Sequence, residues 1–177
     1  MRTIQSDAEG GFNAFIDEQK KVPGEAVVTL VTFDDRYDLV YEAKPINDVE
    51  PFMLYPRAQT ALLDAIGKTI NSVGERLFKT PEDDRPEKVI VCILTDGQEN
   101  SSHEFQRHQI KEMINHQRDV YKWEFVFLAA NQDAFAAADS IGIVKSMTSG
   151  FTADANGTRG AYVFMAQAVS DYRSGNG

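Results

Sequence analysis

Val89-Ile90-Val91-Cys92-Ile93-Leu94-Thr95-Asp96-Gly97 is the stretch whose reading decides the fold. Six apolar residues follow one another without a polar break, and a turn sequence closes them. A half-exposed strand would alternate; a continuous run of this length is the pattern of a central strand covered on both faces, as in parallel sheets. Phe125 to Ala130 repeats the pattern and ends in Asn131-Gln132-Asp133. Between the two lies a charged segment, roughly Glu104 to Asp119, with Phe105, Ile110, Met113 and Ile114 at helical spacing. Strand, helix and strand in that order imply parallel strands joined by a crossover.

The flanks extend the alternation. Ile4, Ala8, Phe12, Phe15, Ile16 and Gln19 recur at steps of three and four, and Pro23-Gly24 ends the helix they define. Gly10-Gly11 inside it is unfavourable by roughly 1 kcal/mol per glycine, which implies close packing, here expected against a sheet. Ala26 to Phe33 and Tyr37 to Ala43, separated by Asp34-Asp35-Arg36, read as an antiparallel hairpin whose second strand is half exposed. After a connection marked by Pro45, Pro51 and Pro56, a helix from about Thr60 to Phe78 carries Leu62, Leu63, Ile66, Ile70, Val73 and Leu77. A polar loop, TPEDDRPEK at 80–88, leads into the opening strand. Downstream come a short alanine-rich helix at Ala134 to Ile141, a weak strand candidate around Ile143 to Met147, and a last helix with Ala161, Phe164, Met165, Ala168, Val169 and Tyr172 on one face. The expected architecture is α/β and Rossmann-like: a mainly parallel central sheet, one antiparallel edge hairpin, helices on both faces, and one domain over residues 1–177.

A net charge of −9 and a pI near 4.8 argue against a nucleic-acid surface, which needs concentrated Lys and Arg. No apolar run approaches a membrane span, and the N-terminus has no signal-like core. Cys92 is the only cysteine, so no internal disulfide forms; a buried reduced thiol fits a cytoplasmic location.

In open α/β sheets, ligands bind beyond the carboxyl ends of the strands. That rule points to Asp96 after one apolar strand and to Asn131 and Asp133 after the other. Each carboxylate is equally readable as a turn or helix-cap residue. Thr60, at the start of the long helix, reads as an N-cap, and alternatively as a hard oxygen donor for a cation such as Mg²⁺. Other chemistry is set aside. His103-Glu104 with His108 is one residue too long for the zinc motif His-Glu-x-x-His, Gly10-Gly11 has no preceding strand for a phosphate loop, and Glu82-Asp83-Asp84 reads as loop solvation.

Thr60-Ala61-Leu62-Leu63-Asp64-Ala65-Ile66 on a helix, then Val89 to Leu94 followed by Thr95-Asp96-Gly97-Gln98-Glu99-Asn100, resembles a von Willebrand factor A (VWA) domain of the small bacterial or phage type. The element order agrees over essentially the whole chain. The resemblance implies a protein-binding module, not an enzyme, with a divalent cation, commonly Mg²⁺, at a metal-ion-dependent adhesion site. Thr60 and Asp96 match two of that site's metal ligands by context.

The family's Asp-x-Ser-x-Ser motif, which ends its first strand, does not occur in this chain. The expectation is therefore a domain N-terminally truncated relative to the family, with an incomplete metal site and weak or absent Mg²⁺ binding. The missing strand would leave sheet edges open; a strand from another chain or rearranged pairing are the other arrangements. Three functions follow: capture of an unidentified protein partner at the carboxyl end of the sheet; metal-independent assembly in a phage or bacterial complex, with strand-pairing or oligomeric contact at the exposed edges; or a Rossmann-like hydrolase using Asp96 and Asp133.

Overall fold

The computed structural model describes residues 4–55, 59–130 and 133–175. Among these residues, five α-helices and five strands follow in the order α1 (Gln5–Lys21), β1 (Val27–Phe33), β2 (Tyr37–Pro45), α2 (Leu62–Lys79), β3 (Ile90–Thr95), α3 (Arg107–Tyr121), β4 (Glu124–Ala130), α4 (Ala134–Ser140), β5 (Thr148–Phe151) and α5 (Ala155–Ser174). The chain is α/β with a parallel sheet, as its periodicities imply. Among the described residues, no helix is long and apolar enough to cross a membrane.

The sheet differs from the expectation in two respects. It is a three-stranded parallel sheet in the order β3-β4-β5, and the β1-β2 hairpin forms a separate two-stranded sheet. The middle strand is therefore β4, not β3. Burial follows: Phe125 to Ala130 are all buried, whereas in β3 only Ile93 and Thr95 are. An unbroken apolar run reports that both faces of a strand are covered; it does not report whether both edges are paired. The expected last strand is also displaced. Ile143 is buried as a loop residue, residues 145–147 form a 3₁₀ turn, and pairing to β4 begins at Thr148.

Alternation along β4 divides the core in two. Phe125, Phe127 and Ala129 face Ile66 and Ile70 of α2, Ile110 and Ile114 of α3, and Ala134 and Ala138 of α4. Val126 and Leu128 face Ala161, Met165 and Val169 of α5. Helices thus cover both faces of the parallel sheet.

The hairpin is tied to the same helices. Phe15 of α1 packs both with the α5-side cluster and with Ile16, Ile46 and Val28 below the hairpin. On the other side Phe33 joins the α2 cluster, Tyr37 Oη lies 3.1 Å from Thr69 Oγ1, and Arg76 donates to Thr29 Oγ1 at 3.1 Å.

Gly11 packs against a helix, not against a sheet. A Cβ there would overlap the ring of Tyr162 on α5, while Gly10 meets open space. The α1–α5 contact is also polar. Buried Gln19 donates to Ala166 O (3.1 Å) and Ser170 Oγ (3.0 Å). Arg173 donates to Gln19 O, Val22 O and Gly24 O, at and beyond the end of α1. Gln19 O also accepts from Val22 N at 3.3 Å, and the guanidinium from α5 adds to it the two carbonyls beyond, closing the helix that Pro23-Gly24 ends.

Candidate functional site

Three segments meet at the carboxyl ends of β1 and β3. The first is the turn after β1, where the buried Asp34 carboxylate accepts from Arg36 N at 2.6 Å and its main-chain oxygen accepts from Ala61 N at 2.6 Å. The second is the approach to α2. The third is the loop after β3, which begins with a side-chain turn: Thr95 Oγ1 donates to Gly97 O at 3.0 Å and lies 3.3 Å from Gly97 N. Asp34 and Asp96 each follow their strand directly into this junction.

Thr60 is not the helix N-cap. That position belongs to Ala61, and no side chain caps it locally. Instead, Thr60 N donates to Asn100 Oδ1 (3.1 Å), and Asn100 N donates back to Thr60 O (3.1 Å). The Thr60 hydroxyl lies 2.7 Å from the point a Cβ on Gly97 would occupy, so only glycine admits Thr60 beside the residue that follows Asp96. Thr60 and the Asp96 turn, 36 residues apart in the chain, are thereby brought together. Replacing Gly97 with alanine is expected to destabilise the protein by about 1–3 kcal/mol through overpacking. A urea melt checks this, and the Gly97→Ala, Thr60→Ala double variant should recover part of the loss.

The start of α2 obtains its caps from the loop after β3. Leu63 N donates to Glu99 Oε2 (2.9 Å) and Asp64 N to Ser102 Oγ (3.1 Å), which satisfies amides that the first helical turn leaves open. Glu99 also accepts from Ser101 N, Ser102 N and Ser102 Oγ, so each of its oxygens holds two hydrogen bonds. Burial pushes its carboxyl up, but these donors outweigh burial and hold it below the usual carboxylate range. Its charge also suits the positive end of α2.

Asp64 returns the exchange. Buried in the first turn of α2, it accepts from His103 N (2.8 Å), Glu104 N (3.0 Å) and Phe105 N (2.9 Å). Burial raises its carboxyl, yet the three amides together with Lys68 hold it below the ordinary value. The Phe105 ring then sits against Gly67, where a Cβ would fall 2.7 Å from it.

The other candidates fall elsewhere. Asp133 caps α4 by accepting from Ala136 N at 3.0 Å, and Asn131 lies outside the described residues. His103 and His108 are exposed, and Glu104 pairs with Lys68 at 2.7 Å. Burial pushes the Cys92 thiol up to about 12, the state of an inert core thiol. Sequence reading gave no role to Asp64 or Glu99. The available signal was an acid placed within the apolar run Leu62-Leu63-Asp64-Ala65-Ile66, and a Glu followed closely by two serines.

The oxygens weighed for a cation are the Thr60 hydroxyl and the Asp96 carboxylate; Glu99 already holds four hydrogen bonds. No group of three or more His, Cys, Asp or Glu side chains among the described residues is placed to hold a metal ion. Mg²⁺ takes about six oxygens in near-ideal octahedral geometry. Two side-chain oxygens do not fit that requirement by themselves. Comparison with protein-family models, with curated proteins and with solved structures finds no match for this chain.

Proposed function

We propose that this chain is a protein-binding module of VWA type, not an enzyme, and that it engages a partner protein at the carboxyl end of its strands, around Thr60 and Asp96. In this reading, the hairpin and the parallel sheet belong to one Rossmann-like layer. The observation that carries the proposal is the convergence of the Asp34 turn, Thr60 and the Asp96–Asn100 loop on one end of the molecule, joined by the paired Thr60 and Asn100 bonds. The helices that touch both the hairpin and the parallel sheet support a single layer. A rigid, polar platform beyond strand ends is where open α/β sheets place their ligands. Asp133, one of the two carboxylates a hydrolase reading used, is spent as a helix cap.

Affinity capture from extracts of the source organism tests the reading, with wild type and the Asp96→Arg variant compared in EDTA and in Mg²⁺. The variant should lose a defined partner that wild type retains; equal capture by both would reject the site. Calorimetric titration with Mg²⁺ should show no binding tighter than about millimolar. A micromolar constant would show that the ligand set is complete without further residues.

Metal-independent assembly is favoured by a separate observation. Among the described residues β3 pairs only with β4, and β1 only with β2, which leaves strand edges open to another chain. Light scattering on the eluting protein distinguishes this reading: an oligomer unchanged by EDTA supports it, and a monomer at micromolar concentration rejects it.

A further inference from the structure

Among the described residues each sheet has two open edges, and these edges are not alike. Those of β2 and β5 bear the marks of strands that discourage pairing. β2 holds Asp38, Glu42, Lys44 and a terminal Pro45, and its register against β1 shifts twice, with Ala43 at φ 47°. β5 is four residues long. The edges of β1 and β3 have no such protection. Val27-Val28-Thr29-Leu30-Val31-Thr32-Phe33 and Ile90-Val91-Cys92-Ile93-Leu94-Thr95 contain neither charge nor proline, and β3 keeps an unbroken register with β4.

The same helices cover both strands. Phe33 of β1 belongs with Val91 and Ile93 of β3 to the α2-side cluster. On the opposite face, Phe15 of α1 belongs with Ile90, Cys92 and Leu94 to the α5-side cluster, and with Val28 to the cluster below the hairpin. Yet Val28, Leu30, Val31 and Thr32 in β1, and Ile90, Val91, Cys92 and Leu94 in β3, all keep partial exposure. β4, under the same cover but paired on both sides, is buried from Phe125 to Ala130. Exposure that survives cover on both faces lies at the open edges.

We propose that the unpaired edges of β1 and β3 take between them one strand donated by a partner protein. This rests on the single-layer and strand-pairing readings above, and adds what the partner supplies. Its backbone bonds to an open edge on each side. Its side chains point alternately toward α2 and toward α1 and α5, both apolar, so it carries an unbroken run of about six apolar residues, not an alternating one. Asp35 and Asp96 stand where β1 and β3 end, so a basic flank on the donated strand meets opposite charge there. A second copy of this chain offers no spare strand, because each described strand is already paired within its own sheet.

The probe is the peptide Lys-Lys-Val-Ile-Val-Ile-Val-Val-Lys-Lys, added to the full chain and followed by amide hydrogen exchange. It should slow exchange by roughly tenfold or more in both strands together, at 28–32 and at 90–94. Two peptides of equal charge are compared with it, one with serine at alternate apolar positions and one N-methylated at alternate amides of the run. Each should bind roughly tenfold more weakly or worse, since the first leaves one face unfilled and the second cannot donate to one edge. Thr32→Lys should abolish protection by burying a charge under the inserted strand, whereas Val40→Lys on the β2 edge should leave it intact; if Thr32→Lys does not fold, the N-methylated peptide still decides. Protection of one strand alone, no protection at peptide excess, or equal binding of the three peptides overturns the proposal. Light scattering separates it from self-assembly. A monomer protected on both edges supports the donated strand and removes the self-assembly reading, while an oligomer whose β1 and β3 edges gain no protection keeps that reading and overturns this one.

Discussion

Asp64→Ala is expected to lower the unfolding free energy by about 4 kcal/mol, because it removes one acceptor from three amides at once and hydrogen bonds to a charged group each contribute about 1.5–3 kcal/mol. The amides of His103, Glu104 and Phe105 lose their carboxylate together, and water reaches them only if the loop leaves α2. Ser102 and Glu99 hold the same loop from the other side, so the loss should be cooperative with theirs. Urea denaturation measures the total, and hydrogen exchange of residues 101–105 locates it. Asp64→Asn should cost less, since one carbonyl oxygen remains as acceptor. Acid should mimic the alanine change. The Asp64 and Glu99 carboxyls are both held below their unfolded values of about 3.9 and 4.3. The folded state therefore binds fewer protons than the unfolded one near those values. The stabilisation is complete above them and is lost as pH falls through the depressed folded values. The stability difference between wild type and Asp64→Ala should accordingly shrink below about pH 4. A difference that stays constant from pH 7 to pH 3 would show that the carboxylate form is not what holds the loop.

Asp64 also marks where sequence reading reaches its limit. The elements themselves were legible because their signals are local. The runs in β3 and β4, the stripe of α2 and the stop at Pro23-Gly24 each lie within a few residues of what they determine, and the observed boundaries follow them closely. The strand β5 was not legible: Thr148-Ser149-Gly150-Phe151 has no periodicity, and its pairing to residues 127–130 is a tertiary choice. Nearby, Ile143 supplied a misleading apolar signal because it covers the α2-side core from a loop. The junction at the strand ends was legible only as positions, not as contacts. Position alone picks out Thr60 and Asp96; the structure sets Thr60 against Gly97, the residue after Asp96, for a reason that lies in bonds between residues some 40 positions apart, such as Thr60 with Asn100. A threonine that precedes a helix looks the same whether it caps that helix or pairs with a distant loop. Acids such as Asp64 and Glu99 look like surface charges until the fold places backbone amides around them.

Edge pairing was not legible either, and a matched pair of substitutions measures it. Leu94 of β3 and Leu128 of β4 are register partners and pack toward the same α5-side cluster. Leu128 is fully buried in the middle strand, whereas Leu94 is partly exposed in a strand with one open edge. Leu→Ala at a fully enclosed core site costs about 2.7–5.0 kcal/mol, with the spread set by how far the surroundings close on the void. Leu128→Ala is expected at the upper end, near 4 kcal/mol, because neighbours on both sides in the sheet prevent collapse. Leu94→Ala should cost about half as much, since part of its surface already meets solvent and its neighbours can relax into the gap. Chemical denaturation of both variants at low protein concentration gives the comparison. Repeating it at high concentration adds a second reading. If chains pair through the β3 edge, the cost at Leu94 should rise with concentration while that at Leu128 does not, because association buries only the former. Equal costs for the two leucines at every concentration would mean that β3 is enclosed as fully as β4, and the open-edge reading of the fold would then fail along with the strand-pairing function built on it.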